Sequence, residues 1–313
     1  MKWKNTLIYD ITADVYRDIK DTIIASEPII DEELRQIFAQ SGKGIRPLFT
    51  ALAGGLVGGT WDDLRKAAMI IEAVHIASLI HDDVVDGSNL RRGKATLNAR
   101  FSDKTSVLFG DYIFTKALSE AHTIGNPEAL RIIYEAVERM IKGEIHESLR
   151  EIIDEEAYLR IIGNKTASLF AASGELGIVL SGGNDIEKRW ARELGESVGM
   201  AFQIIDDTLD FTGETEVMGK PRLADVISGR ITLPVIHSFK SHTPGEIKEL
   251  FSDKEGTVEK ITALVISKGG IEYAYQKARE FLNNAQEILQ KFNDTEAVSG
   301  FDDFFDMLMT RAS

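Results

Sequence analysis

The sequence predicts an all-α protein, and three observations carry that reading. Apolar residues recur at helical spacing over long stretches, strand-like alternation is scarce, and only 6 prolines interrupt 313 residues. Leu64, Ala67, Ala68, Ile71, Val74, Ala77, Ser78 and Ile80 follow the three-and-four spacing of a broad buried helix face. The same spacing runs through Leu130, Ile133, Val137, Met140 and Ile141, and through Leu194, Val198, Ala201, Phe202 and Ile205. Between these runs lie stop and start signals. Gly182-Gly183-Asn184-Asp185 reads as a helix stop followed by an N-cap, and Gly125-Asn126-Pro127 and 241–245, with Thr243-Pro244, read as further breaks. Residues 213–229 form the longest irregular stretch and read as a mobile loop. No shift in composition divides the chain. Residues 1–313 therefore read as one helical domain, with 240–313 an extension of the same bundle.

Composition narrows the functional classes. Lys and Arg number 36 against 50 Asp and Glu, a net charge of −14, which argues against wide contact with a nucleic-acid backbone. There is no cysteine, so disulfides, thiolate chemistry and Cys-ligated zinc or iron–sulfur sites are excluded. Mean hydropathy is −0.10. No run reaches the roughly 18 apolar residues of a membrane span; the closest, 67–80, is interrupted by Glu72 and His75. The first 21 residues alternate charged and apolar side chains, unlike a signal peptide. The expectation is a cytoplasmic protein with no transmembrane segment and no nucleic-acid partner.

The chemistry concentrates in an internal echo. Ile80-His81-Asp82-Asp83-Val84-Val85-Asp86 resembles Ile204-Ile205-Asp206-Asp207-Thr208-Leu209-Asp210, and both end apolar helical runs. On a helix, residues i and i+4 share a face, so Asp82 and Asp86 point together, as do Asp206 and Asp210. Asp83 and Asp207 lie about 100° away. Carboxylates at the C-terminal end of an apolar helix oppose its dipole, repel one another and need a neutralising charge. An all-oxygen donor set suits Mg²⁺, which keeps waters and is shared with substrate phosphates. Two opposed patches would hold several ions around a diphosphate.

Basic residues supply the phosphate half. Gly42-Lys43-Gly44-Ile45-Arg46-Pro47 sets Lys43 and Arg46 three apart near a helix start, without P-loop spacing. Arg91-Arg92-Gly93 follows the first cluster in a short loop, Lys165-Thr166 opens a helical run, and Lys220 and Arg230 flank the loop after the second cluster. Each alone reads as a solvated surface charge, and Arg91 and Arg92 equally as a salt-bridged cap. Arginine forks and lysine point charges are nonetheless the usual diphosphate ligands. His75, seven residues before Asp82, sits two turns up the same face and alone reads as a core histidine. Glu72-x-x-His75 matches half of a di-iron bundle motif, but no second copy exists; Glu144-x-His146 has the wrong spacing.

Together these residues resemble the trans-isoprenyl diphosphate synthases of the polyprenyl synthetase family, over roughly residues 30–240. The motifs are 82–86 followed by Leu90-Arg91-Arg92-Gly93, Phe202-Gln203-x-x-Asp206-Asp207-x-x-Asp210, Gly-Lys-x-x-Arg-Pro, Lys165-Thr166 and Thr232-Leu233-Pro234. The resemblance implies an isoprenoid-synthase helical bundle around a central cavity, usually a dimer, condensing isopentenyl diphosphate with an allylic diphosphate. It implies Mg²⁺, three ions with substrate bound, held mainly by Asp82, Asp86 and Asp206, with Asp83, Asp207 and Asp210 as ligands or neighbours of the ligands. Lys43, Arg46, His75 and Arg92 correspond to the isopentenyl diphosphate site. Arg91, Lys165, Thr166, Gln203 and Lys220 correspond to the allylic diphosphate site. Two positions depart from the family. Gly44 stands where an arginine is frequent, and Arg230 stands where lysine is usual, keeping the charge but changing the donor geometry.

Product length follows from sterics. Ala77 and Ser78 precede Asp82 by five and four residues, one turn deeper along the helix. Short-chain members of the family carry an aromatic residue there that blocks elongation. Here both are small, and Ala73 and Val74 lie on the next turn, so an open tunnel and a product beyond C20, in the C30–C50 range, are expected. The far wall, with Phe109 or Phe114, is not placed by the sequence. Competing readings are a class I terpene cyclase, which needs no second diphosphate site, a geranylgeranyl diphosphate synthase, and a heteromeric synthase subunit that depends on a partner.

Overall fold

The computed structural model describes residues 5–24, 28–39, 42, 44–149, 154–212, 223–240, 257–293 and 295–310. The chain opens with α1 (Asn5–Thr22), α2 (Pro28–Ala39), α3 (Ile45–Gly55) and α4 (Trp61–Val85). A small hairpin follows, β1 (Leu90–Arg91) and β2 (Lys94–Ala95), the only strands among the described residues. Its turn residues Arg92 and Gly93 have φ of 52° and 73°, the two positive values of a type I′ turn. Next come α5 (Leu97–Arg100), α6 (Asp103–Thr123), α7 (Pro127–Leu149) and α8 (Glu155–Ile162). A π-helical turn (Gly163–Ala167) joins α8 to α9 (Ser168–Leu180) without a break. The remainder is α10 (Asp185–Thr212), α11 (Ala224–Ile227), α12 (Leu233–Ser238), α13 (Thr257–Ser267), α14 (Gly270–Leu289) and α15 (Thr295–Thr310).

The breaks obey local capping. Asn126 Oδ1 accepts the amides of Glu128 at 2.9 Å and Ala129 at 3.2 Å, opening α7. Asn184 Oδ1 accepts those of Ile186 at 2.9 Å and Glu187 at 3.1 Å, opening α10. The break expected at 241–245 lies outside the described residues. The stretch 213–229 is not irregular throughout. Residues 213–222 lie outside the described residues, but 224–227 form α11, because the Asp210 carboxylate accepts the Asp225 amide at 3.1 Å in its first turn.

Helix α9 is the axis of the packing. Residues 168–179 are buried all round, as expected of a helix with no polar face. Phe170 and Ile178 join Phe49 of α3, Val198 and Ile204 of α10, Leu282 of α14, and Phe301 and Phe304 of α15. Leu169 and Leu176 join Ile19 of α1, Leu34 of α2, Ile71 of α4, Ile113 of α6 and Ile132 of α7. The Phe49 ring lies 5.8 Å from Phe170, 5.3 Å from Phe301 and 5.7 Å from Phe304. The C-terminal helices therefore share the core of α3 and α10. This packing holds the C-terminal ends of α4 and α10, and with them both aspartate clusters. No helix among the described residues is long and apolar enough to cross a membrane.

Candidate active site

The last turn of α4 carries the first cluster. Arg91, on the hairpin, donates Nε to both oxygens of Asp83, at 2.9 and 3.1 Å. Asp83 is thereby tied to the loop, the salt-bridged cap foreseen as one reading of Arg91. Asp82 is different: among the described residues no side chain is hydrogen-bonded to it. Burial pushes its carboxyl up to about 7; Glu144 and Asp86 add to this, while Lys165 and Arg91 oppose it. Asp86 is gripped by Arg230, whose Nη2 lies 3.1 Å from each of its oxygens.

The second cluster lies on α10. Asp207 is buried; Tyr158 donates its hydroxyl to Oδ2 at 2.6 Å, and Gln203 donates Nε2 to Oδ1 at 2.8 Å. Burial, with Asp225 nearby, raises the Asp207 carboxyl to about 7 against those two hydrogen bonds. Asp210 is fully buried and its Oδ2 serves the Asp225 amide. Asp206 is partly exposed.

Two arginines lie near both clusters. Arg46 lies in the fields of both Asp82 and Asp206. Arg230 bonds Asp86, reaches Asp225 at 3.7 Å and feels Asp207. Among the described residues no three acidic or imidazole side chains form a ready-made metal cage. The donor set is nonetheless hard carboxylate oxygen, and the raised Asp82 carboxyl is relieved by a cation. It fits a divalent ion completed by water and phosphate oxygens.

Several of the expected cationic side chains lie near these carboxylates. The Arg46 guanidinium is buried, which lowers its pKa to about 10 against the fields of Glu72, Asp206 and Asp82. It lies 4.7 Å from the Phe170 ring centroid and 5.8 Å from that of Phe202. Its Nη1 is 3.1 Å from His75 Nε2. Arginine only donates, so Nε2 accepts and the imidazole keeps its proton on Nδ1. Burial and the charges of Arg46, Arg91 and Arg92 hold His75 well below its ordinary pKa, hence neutral. Arg46 Nε is buried with no hydrogen-bond partner, an unused donor. Glu72 lies beneath and takes the Tyr16 hydroxyl at 2.9 Å. The Arg92 guanidinium lies over Gly42, where an added Cβ would sit 3.1 Å from Nη2. Gly44, the departure from the family pattern, has φ 62°, and a Cβ there would meet Thr12 Oγ1 at 2.4 Å. Lys43 and Lys220 lie outside the described residues.

Lys165 and Thr166 do not open a helix, as the spacing suggested; they sit in the π-helical turn inside one continuous rod. Lys165 Nζ pairs with Glu144 at 2.6 Å and Glu147 at 2.5 Å on α7. Burial works against its charge, yet Glu147, Asp82 and Glu144 hold its pKa above the ordinary value. Thr166 donates its hydroxyl to Gln203 Oε1 at 2.7 Å, on α10. The turn is propped from α7. Gly143 lets the two backbones touch, since a Cβ there would lie 2.5 Å from Lys165 N. Arg139 donates to the Gly163 carbonyl at 3.1 Å and to Asn164 Oδ1 at 3.2 Å, and is anchored to Glu196 at 2.7 Å. Glu144, Glu147, Tyr158 and Asp225 were missed from sequence. For the glutamates, the shared face of positions three apart on α7 was an available signal.

Ala77 is fully buried in the apolar cluster that holds Ala73, Val74, Phe109 and Ile113. The Ser78 hydroxyl is satisfied by the His75 carbonyl at 2.8 Å. The Phe114 ring lies 5.7 Å from His81, packed on the same cluster.

Known proteins resemble this chain over nearly its whole length. The polyprenyl synthetase family profile matches residues 27–267. The octaprenyl diphosphate synthase of Escherichia coli K12 is 34% identical over 299 residues, 93% of each chain. Heptaprenyl diphosphate synthase component 2 of Geobacillus stearothermophilus is 30% identical over 302 residues, 95% of this chain and 94% of that one. The crystal structure of a polyprenyl synthase from Caulobacter crescentus CB15, complexed with calcium and isoprenyl diphosphate, superposes with a TM-score of 0.90 at 31% identity, covering 98% of this chain and 97% of the other.

Proposed function

The chain belongs to the polyprenyl synthetase family, and from that premise we propose that it joins isopentenyl diphosphate head-to-tail to an allylic diphosphate, making an all-trans polyprenyl diphosphate longer than C20. The observation that supports this reading is that Arg230, bonded to Asp86 at the end of α4, also reaches Asp225, whose amide Asp210 of α10 accepts, so the two aspartate clusters are neighbours. A cyclase needs one diphosphate site. In this reading Arg46, His75 and Arg92 serve a second diphosphate beside the one served by Lys165, Thr166 and Gln203; Arg46 and His75 are in contact at 3.1 Å, as are Thr166 and Gln203 at 2.7 Å.

In this reading Asp82, Asp86, Asp206 and Asp210 are the metal-side carboxylates, with Asp210 acting through the wall it braces. Mg²⁺ held there supplies Lewis-acid stabilisation of the departing diphosphate. The protein's own groups do the rest. Lys165, Thr166, Gln203, Arg91, Lys220 and Arg230 orient the allylic diphosphate. Lys165 and Arg230 exchange their carboxylate partners for phosphate oxygens as charge leaves the carbon. Lys43, Arg46, His75 and Arg92 hold isopentenyl diphosphate with its double bond over the allylic carbon. Phe170 and Phe202 pack against the Arg46 guanidinium and help fix its position. The bond forms, and the final proton leaves to the released diphosphate, so no protein nucleophile is needed.

Small side chains at Ala77 and Ser78 favour long products, and the octaprenyl and heptaprenyl names of the relatives support a C30–C50 range. We take residues 1–313 as one domain acting in the cytoplasm as a homodimer. A second reading, a subunit that needs a different partner chain, draws on the Geobacillus relative's name as a component. The test is incubation with Mg²⁺, labelled isopentenyl diphosphate and C10–C20 allylic primers, followed by chain-length analysis. Labelled products longer than C20 are expected. No incorporation with any primer would reject the reading for the isolated chain.

A further inference from the structure

A buried phenol stands behind the site with no role yet assigned. Tyr158 is 2% exposed and donates its hydroxyl to Asp207 at 2.6 Å. Asp207 takes the Gln203 amide on its other oxygen at 2.8 Å, and the Gln203 carbonyl takes the Thr166 hydroxyl at 2.7 Å. The chain of bonds runs in one direction only. A carboxylate flanked by two donors accepts on both oxygens, so Gln203 must turn Nε2 inward and Oε1 outward toward Thr166. We propose that Tyr158 is a positioning residue for the allylic diphosphate site, fixing through Asp207 which way the Gln203 amide faces and where the Thr166 hydroxyl sits.

The helix register is built for this. On an unbroken α-helix Lys165, seven residues after Tyr158, would lie within about 20° of it, and Thr166 about 80° away. The π-helical turn takes up an extra residue and shifts that register. Thr166 thereby reaches Gln203 on α10, the helix Tyr158 also faces, while Lys165 turns to Glu144 and Glu147 on α7. Two neighbours in sequence thus engage two different helices, α7 and α10, and Tyr158 braces the α10 side. Its phenol stays protonated, because burial and Asp207 raise its pKa well above the ordinary value. It is therefore a permanent donor.

The inference rests on Thr166 and Gln203 binding the allylic diphosphate. Tyr158→Phe keeps the ring and removes only the donor. Steady-state kinetics with each substrate varied should show the allylic KM raised about tenfold, the scale of losing an outer-shell partner, with the isopentenyl KM and product length unchanged. Adding Gln203→Ala to Tyr158→Phe should cost little more than Gln203→Ala alone. Thermal melts establish that each variant is folded, and Tyr158→Leu, which loses the donor as well, should match Tyr158→Phe in allylic KM. Unchanged KM values in Tyr158→Phe, an equal rise for both substrates, or additive effects in the double variant would overturn the inference while an active wild type leaves the proposed reaction standing. A wild type without prenyl transfer would overturn both.

Discussion

Divalent-cation binding should weaken steeply below pH 7, and Asp82 is the reason. Its carboxyl is raised to about 7 by burial, with Glu144 and Asp86 contributing. A cation binds the ionised form, so affinity follows the ionised fraction. That fraction is about one-tenth at pH 6 and about nine-tenths at pH 8, so affinity should change about tenfold between them. The stability counterpart has a definite sign. A carboxyl raised in the folded state stabilises the metal-free protein below its ordinary value of 3.8 and loses that contribution as pH climbs through about 7. Bound Mg²⁺ restores it, so the Mg²⁺-induced rise in Tm should be larger at pH 8 than at pH 6. The assay is Mn²⁺ titration of the substrate-free protein by water-proton relaxation, paired with melts in Mg²⁺. Asp82→Asn should bind weakly and lose most of this pH dependence. Equal affinity at both pH values, or the same slope in Asp82→Asn, would refute the reasoning.

Three further outcomes are expected. Ala77→Phe, in the fully buried position five residues before Asp82, should shorten the product to about C15–C20, the size set by an aromatic floor one helical turn below the cluster; chromatography of the dephosphorylated products reads it, and an unchanged length would discard the tunnel assignment. Arg139→Met leaves the buried Gly163 carbonyl without its donor, at about 1–3 kcal/mol; a chemical melt measures this, and the allylic KM should rise as Lys165 loses its seat. Phe301→Ala, fully buried against Phe49, should cost about 3–5 kcal/mol in denaturant titration; a loss below 1 kcal/mol would show α15 to be an appendage rather than part of the core.

Much of this was legible before the structure, for physical reasons. Helix periodicity is local, so the runs at 64–80, 130–141 and 194–205 fall inside α4, α7 and α10. Capping is local too, which is why Asn126 and Asn184 sit where the glycine and proline signals placed a break. The aspartates announced themselves because carboxylates at the end of an apolar helix are electrostatically expensive. The supporting groups were silent. Tyr158 and Asp207 are 49 residues apart, and a tyrosine in a helix looks like core until its partner is known. The π-helical turn at Lys165 has no mark of its own in the sequence; it depends on Gly143 and Arg139 of a different helix. Glu147 belongs to no motif, yet Lys165 and Arg230 converge on it and hold its carboxyl below the ordinary value despite burial. Arg230, a departure from the family pattern, proves to be a junction of Asp86, Glu147 and Asp225, three carboxylates that a planar fork can reach together.

The central claim is that α4 and α10 grip one pyrophosphate group between them through divalent ions. A crystal grown with Mn²⁺ and an unreactive thiolo analogue of an allylic diphosphate, with data at the manganese absorption edge, tests it directly. Anomalous peaks between Asp82, Asp86 and Asp206, with the diphosphate spanning them toward Lys165, are the predicted result. Manganese confined to one cluster, or a diphosphate bound away from both, would contradict it.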